Sequence, residues 1–435
     1  MKMIFQNLLA QRKRNLWLLL EMTVITIITW VVLDPVMVLL TMENMPQGYE
    51  PERMVYVAFA KLKNTSPKYS EEYADSAGVT ASYNVLANHI KDIEGVESLT
   101  RAVIGDNSTL TVGIQVVNEE GDTVPLSYST HNIIPESDFF TTFGIEAVDG
   151  SPSATELSRR SFTGSECVIT ESLAKRIFGE CDNYIGRSIK SAGYNGEGDI
   201  VVGIVKNVRP REYEADCNIA WTGQYMNVYD MMKYSSRGSI SIRLKPGYTP
   251  EQWVKDNKEE MLSNFKFGNF YVKSVMTYSQ MGSRTTTAIK ADSEKHIKYA
   301  LLLFFLVNLA LGVAGTYYLQ TRSRSHDAGL MKAYGSTGRR VFGMLVGEAM
   351  IVTVLGWIIG CFAYLHYALK EGVSSGLETG IDVFPTDCWV SDFSTHFIVV
   401  SLAVLVVLAV IVLIGVSFPA RRIARVNPVD ALRDE

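Results

Sequence analysis

Four long apolar stretches, Leu16–Leu40, His296–Leu319, Val341–Leu369 and Phe393–Phe418, constrain this chain more than any single residue does. A helix needs about 20 mostly apolar residues to cross the hydrocarbon layer of a bilayer. Each stretch reaches that length, and nothing else in the sequence comes close. Their spacing is uneven: the polar segment 41–295 separates the first from the second, and short connections join the others. A mean hydropathy of +0.09 with 47% hydrophobic residues is therefore an average over two kinds of chain, one apolar and one polar.

The net charge of −5 also conceals a pattern. Lys2, Arg12, Lys13 and Arg14 precede the first span. Arg322, Arg324, Lys332, Arg339 and Arg340 lie between the second and third, and Arg421, Arg422, Arg425 and Arg433 follow the fourth. The connection 370–392 instead carries Glu371, Glu378, Asp382, Asp387 and Asp392 against Lys370. Positive charge close to span ends stays on the cytoplasmic side. Both termini (1–15 and 419–435) and the basic connection 320–340 are thus expected inside, and the insert 41–295 with the acidic connection 370–392 outside. The first apolar run exceeds the 7–15 residues of a signal-peptide core, and Thr41-Met42-Glu43 offers no small-residue cleavage pattern, so it reads as an uncleaved anchor. Within it, Glu21 is close enough to the basic cluster to reach Arg14 or the interface. Asp34-Pro35 reads as a kink or as the point where the helix emerges, since proline cannot donate its backbone bond.

The insert reads as a mixed α/β domain. Met54–Ala60 and Val96–Ile104 read as strands around an amphipathic helix Ala81–Ile93, which carries Val85, Leu86, His89, Ile90 and Ile93 on one face. The order returns late in the insert: Ser239–Leu244 alternates, Pro250 opens a helix at its first turn, and Asn269–Met276 alternates again. The two halves are expected to pair as one split βαβ layer, 50–108 with 238–280. Between them, 109–237 forms a second subdomain with strands at Thr109–Val117, Thr123–Ser127, Glu166–Thr170 and Asp199–Val205, a helix at Glu171–Phe178 and a mobile loop at Ser151–Gly164.

No catalytic pattern stands out. His89 and His131 are the histidines of the insert, and within the insert no Gly-x-Ser-x-Gly elbow, His-Glu-x-x-His pair or Cys-x-x-Cys occurs. Catalytic, cofactor and metal sites are therefore expected to be absent. Of five cysteines, Cys167, Cys181, Cys217 and Cys388 fall on the outer side, where a Cys167–Cys181 disulfide and free buried thiols are both open. No Gly-x-x-x-x-Gly-Lys-Ser/Thr phosphate cradle occurs either, so the energy source is expected in another chain. Apart from Asn308 and Glu348, the last three spans carry few polar residues centrally, which disfavours a hydrophilic conduit. Gly312, Gly315 and the pairs Gly343/Gly347 and Gly356/Gly360 suit close helix packing, within the chain or between copies.

Two inner segments carry the sharpest signals. Ser325–Arg340 places Ala328, Leu330, Met331, Ala333 and Tyr334 in a short helix ended by Gly335. Phe418–Glu435 contains Pro419, Arg421, Arg422 and Pro428; on composition alone it could anchor to anionic lipid. The tail resembles, nearly position for position, the closing Pro-Ala-Arg-Arg-x-Ala-x-x-x-Pro-Val/Ile-Glu/Asp-Ala-Leu-Arg pattern of the MacB/FtsX-like ABC transporter permeases. Asp327–Gly335 resembles that family's coupling segment, with Gly329, Leu330, Lys332, Ala333 and Gly335 matching. His326 and Asp327 stand in place of Arg-Glu, and Met331 in place of Arg. In the insert, Ser137–Ile145, Cys167–Phe178 with Ile185-Gly186, and Ile200–Lys206 are similar to the family's periplasmic core domain, in order.

The resemblance implies four transmembrane helices with a large α/β periplasmic domain between helices 1 and 2, the type VII ABC permease architecture. It implies a bacterial inner-membrane location and a homodimer or related heterodimer. It also implies separate cytoplasmic ATPase subunits that hold ATP and Mg and push on the coupling residues Asp327, Gly329, Leu330, Met331, Lys332, Ala333, Tyr334 and Gly335. Motion of the outer domains would then do the work, with a periplasmic adaptor and outer-membrane channel as further partners, membrane lipid as surroundings and no nucleic acid. Efflux of antimicrobial peptides, drugs or other periplasmic molecules is the first expectation. Lipoprotein release and control of cell-wall hydrolases are the alternatives, and a sensor or adhesion receptor without an ATPase is an alternative of another class.

Overall fold

A computed structural model describes residues 12–101, 104, 110–117, 123–132, 138–162, 165–191, 198–210, 218–222, 238–282, 291–322, 325–374 and 388–425. The chain divides into two units. One comprises Met42–Asp292 with Leu377–Thr386, the other Met1–Thr41, Ser293–Gly376 and Asp387–Glu435.

The first unit is organised by strand β1, Met54–Lys61, which is buried along most of its length. Side chains alternate across a strand, and here both faces are apolar. Val55, Val57 and Phe59 point into one cluster, and Met54, Tyr56 and Ala58 into another. A strand of that composition is stable only with a layer on each side. β1 lies inside a five-stranded antiparallel sheet with β2 (Val96–Thr100), β9 (Ser239–Leu244), β10 (Lys266–Phe267) and β11 (Phe270–Thr277), in the order β10-β11-β1-β9-β2. Neighbours that are not consecutive make this the split βαβ layer read from the sequence. Val55 faces Ile242 of β9 on one side and Thr277 of β11 on the other.

Helices α1 (Arg12–Asn44), α2 (Ser76–Lys91), α3 (Phe139–Phe143), α4 (Ala154–Arg159), α5 (Glu171–Phe178) and α6 (Pro250–Asn264) lie along the chain in that order. Of these, α2 and α6 cover one face of the sheet through Val79, Tyr83, Leu86, Ile90, Trp253, Val254 and Met261. Full burial of side chains this size stabilises by roughly 1.5–3 kcal/mol each. α2 begins five residues before the expected Ala81, because the Asp75 carboxylate accepts the Gly78 N–H at 2.7 Å and caps the helix there.

Between β2 and β9 the chain builds a closed six-stranded barrel. Its strands are β3 (Leu110–Val117), β4 (Thr123–Asn132), β5 (Glu166–Thr170), β6 (Ser188–Ser191), β7 (Asp199–Val205) and β8 (Ile219–Thr222), in the order β3-β4-β8-β5-β7-β6. β5 and α5 take the bounds read from the sequence, whereas β6 and β8 were not anticipated. One expectation is corrected here. The stretch expected as a mobile loop, Ser151–Gly164, contains α4 instead. Ser153 and Glu156 form a reciprocal capping box, and Leu157 is buried in the core. The sheet and the barrel share a core. Met54, Tyr56, Met276 and Tyr278 of the sheet side share one cluster with Phe139, Phe140, Phe143, Val168 and Trp221 of the barrel side. The Phe140 and Trp221 rings meet edge to face at 5.6 Å.

The second unit is helical. α1, α7 (Ala291–Arg322), α9 (Gly338–Glu371) and α10 (Phe393–Arg425) are long and apolar enough to cross a membrane, and the short α8 (Ser325–Ala333) lies between α7 and α9. α1 runs on through Pro35 to Asn44, beyond the expected end of the span at Leu40. The turns on either side of Pro35 are held by packing: Trp30, Leu33 and the partly buried Met37 share one cluster with Tyr364, Val400, Val404 and Leu408. α10 likewise continues through Pro419 to Arg425, beyond the expected end at Phe418, because Ala420 and Ile423 are buried in the cluster at that end. Among the described side chains of α7 only Val313 is buried.

Candidate functional site

The coupling residues expected from the sequence fall on α8 and the turn after it. Tyr334 and Gly335 close the helix: the Ser336 N–H donates to the Met331 carbonyl at 3.0 Å while Gly335 takes φ +91°. That is a Schellman end, and its left-handed residue is why glycine stands there. Two residues later Thr337 caps α9, its hydroxyl accepting the Arg340 N–H at 3.4 Å. α8 therefore passes into α9 through a defined turn.

α8 has two faces. Ala328 is buried and Met331 packs beside it against Val341, Ala420 and Ile423. Gly329 is also buried, Lys332 half-buried and Ala333 exposed. Leu330 is 45% exposed and Tyr334 85% exposed, one turn apart on the same outward face. Asp327 lies in the first turn of α8. Of the tail residues, Arg421 places its guanidinium over the Phe342 ring at 5.9 Å, Arg422 is exposed, Pro419 lies inside α10, and Pro428 is outside the described residues.

The glycines separate by environment. A Cβ on Gly356 would stand 2.5 Å from the Met22 Cβ, and one on Gly360 2.6 Å from the Thr26 Cβ, so α1 and α9 touch at this pair. Gly343, Gly312 and Gly315 border open space, and Gly347 is half-buried. Asn308 donates to the Phe304 carbonyl of its own helix at 2.8 Å. Glu21 Oε1 accepts the Thr316 hydroxyl of α7 at 3.0 Å, and the Arg14 side chain, named as its reach from the sequence, lies outside the described ones. Glu348 is buried within the same helical unit.

Two further polar groupings appear; from the sequence Asp34 was noted only beside Pro35, and His396 and Arg209 were not singled out. Asp34 and His396, buried on α1 and α10, contact each other at 2.6 Å. In the α/β unit, the buried Arg209 donates to the carbonyls of Met42 at 2.8 Å, Met45 at 2.5 Å and Pro46 at 3.2 Å, at the last turn of α1 and just past it. A cation suits this place, because the final carbonyls of a helix have no partner within it and carry its negative end. Cys167, Cys181, Cys361 and Cys388 are not joined in disulfides, and Cys217 lies outside the described residues. Burial pushes the Cys167 thiol well above its usual range, and the charges of Asp199 and Glu166 add to this.

With this geometry in place the comparisons are direct. The MacB-like periplasmic core domain matches residues 23–259 and the FtsX-like permease C-terminal domain residues 299–428. The chain belongs to the MacB/FtsX-like family of ABC transporter permeases, with four membrane helices and a large periplasmic-type α/β domain between the first and second. The macrolide export ATP-binding/permease protein MacB 1 of Yersinia pestis is 25% identical over 302 residues, covering 68% of this chain and 42% of that protein. MacB of Shewanella sp. is 25% identical over 368 residues, 80% of this chain and 48% of the relative. An uncharacterized ABC transporter permease of Methanocaldococcus jannaschii is 26% identical over 196 residues, 45% and 46% of the two chains. The chain spans about half the length of the curated relatives it matches. The periplasmic region of MacB from Actinobacillus actinomycetemcomitans aligns with 56% of this chain and 97% of its own, at 14% identity and a TM-score of 0.31. The family membership rests on the sequence matches.

Proposed function

We propose that this chain is the permease subunit of an ABC transporter, worked by separate ATPase subunits that bind ATP and Mg on the cytoplasmic side. In this reading the membrane is the bacterial inner membrane, both termini are cytoplasmic and the α/β domain is periplasmic. The basic residues flanking the spans support that orientation. The carrying observation is the outward face of α8, where Leu330 and Tyr334 stand exposed on a helix fixed from beneath by Ala328 and Met331. An ATPase subunit that closes on ATP presses this face. The capped turn at Gly335–Thr337 passes the displacement into α9, and α7, which ends at Arg322 shortly before α8 begins at Ser325, receives it at the other end. The outer domain then does the work on cargo by mechanical transmission. Relatives named for macrolide export favour efflux of drugs, antimicrobial peptides or other periplasmic molecules, through a second permease copy, an adaptor and an outer-membrane channel.

The test is Leu330→Asp in the full chain co-expressed with its ATPase. Removing an apolar anchor and burying an unpaired carboxylate costs on the order of 3 kcal/mol, roughly 100-fold in affinity. The expected result is loss of copurification and of stimulated ATP hydrolysis, with the permease's thermal stability retained. Unchanged stimulation would overturn the assignment.

A further inference from the structure

We propose that Asp34 and His396 form a proton-binding site within the helical unit, holding one proton between them and so clasping α1 to α10. The site is enclosed, with Asp34 2% exposed and His396 0% exposed. Its hydrogen bonds fix how many protons it contains. His396 Nδ1 lies 3.2 Å from the Val390 carbonyl, which can only accept, so this nitrogen carries hydrogen. His396 Nε2 lies 2.6 Å from Asp34 Oδ1, a separation that requires a second proton on one atom or the other. The remaining oxygen, Asp34 Oδ2, accepts the Ser374 backbone N–H at 3.0 Å. An imidazolium beside a carboxylate and a neutral imidazole beside a carboxylic acid satisfy this arrangement equally, and both carry one proton more than neutral histidine with ionised aspartate. Without it two lone pairs oppose each other at Nε2 and Oδ1. Turning the ring tautomer moves the same conflict to Nδ1 and Val390.

The surroundings leave this pair to balance itself. From α9, the titratable Tyr364 belongs to the cluster around Trp30, and Tyr367 packs against it at 5.6 Å. Cys361 of α9 lies in the same cluster. From α1, Trp30 stacks between Tyr364 at 4.2 Å and His396 at 6.5 Å, and donates to the Ser401 hydroxyl of α10 at 3.1 Å. Trp389 covers the His396 ring edge-on at 5.0 Å. The charged Lys370 and Glu371 at the end of α9 pair with each other and are exposed. Among the described residues, His396 is the one basic side chain within ion-pair distance of Asp34. A buried carboxylate left without a partner is strongly disfavoured. Drawing α1 away from α10 at this end must therefore release the proton or expose the pair, so proton binding and helix separation oppose one another. This holds whether or not an ATPase drives the motion.

The full chain in nanodiscs tests this. With ¹⁵N-labelled histidine at mildly alkaline pH, one ring bears hydrogen on both nitrogens, or else an infrared band of a protonated carboxyl is present; either signal is missing from Asp34→Asn. Finding neither in the unaltered protein overturns the proposal. The unfolding constant of the unaltered protein rises roughly tenfold per pH unit above the ordinary imidazole range, relative to Asp34→Asn/His396→Gln, as one extra bound proton demands. Parallel pH profiles would also overturn it. Should the double variant not fold, the spectroscopic readout on the unaltered chain still decides.

Discussion

Thr26 on α1 occupies the space that a side chain at position 360 of α9 would need. The Cβ–Cβ separation there would be 2.6 Å, with the Thr23 carbonyl oxygen 3.0 Å away, and Met22 stands in the same relation to Gly356. Gly360→Leu and Gly356→Leu must therefore push the two helices apart. Overpacking of this kind costs typically 1–3 kcal/mol. Thermal melting in detergent should fall for both variants and stay near the unaltered value for Gly343→Leu, since position 343 borders open space.

Arg209 holds three carbonyls beyond the reach of α1's own backbone bonds. Arg209→Met keeps much of the side-chain volume and removes every donor. Of the three acceptors Met42 is the buried residue, and weakening the bonding of a buried acceptor costs about 1–3 kcal/mol, so this change should destabilise the protein by about that much. Gln at the same place should recover part of the loss. Denaturant unfolding of the full chain followed by tryptophan fluorescence would measure both, Trp221 being in the adjoining core.

The thiols should separate under alkylation. Cys167 is fully buried and its thiol is held protonated by burial, while Cys181 and Cys388 are partly accessible. Iodoacetamide at neutral pH should label Cys181 and Cys388 first and leave Cys167 unmodified until the fold opens, as read by peptide mass spectrometry. Labelling of Cys167 in the native protein at the rate of Cys181 would contradict the buried position of β5.

Burial raises Asp199 above its ordinary carboxylate range. A carboxyl with a raised folded-state value favours folding when protonated, below its ordinary range, and that contribution is lost as the pH climbs through the raised value. Asp199→Asn removes the penalty of the ionised form. The variant should melt higher than the unaltered protein at neutral pH, and the gap should close as the solution is acidified toward the ordinary carboxylate range.

The membrane helices could be read because their apolar runs are long, and the sheet because β1 is a short apolar run and β9 and β11 alternate over six or more residues. Barrel closure was hidden. β8 has four residues, Ile219–Thr222, and joins β4 in parallel across a long separation in sequence, so no local period betrays it. α4 was obscured by its Ser- and Thr-rich composition, although Ser153 and Glu156 at cap spacing were the signal that could have revealed it. The helix Ser325–Ala333 and its stop at Gly335 were visible. Which side of it faces outward was not, because that depends on where Val341 and Ala420 lie. Asp34 and His396 are 362 residues apart, and each alone resembles a polar residue near a span end.

The plate formed by β1, β9 and β11 is roofed by α2 and α6 and floored by the core it shares with the barrel. It offers no open face on which a molecule could be gripped. Any cargo handled by this half of the protein must be met by the helices' outer flanks, the barrel's rim or the sheet's edges, while the plate keeps those parts in fixed register.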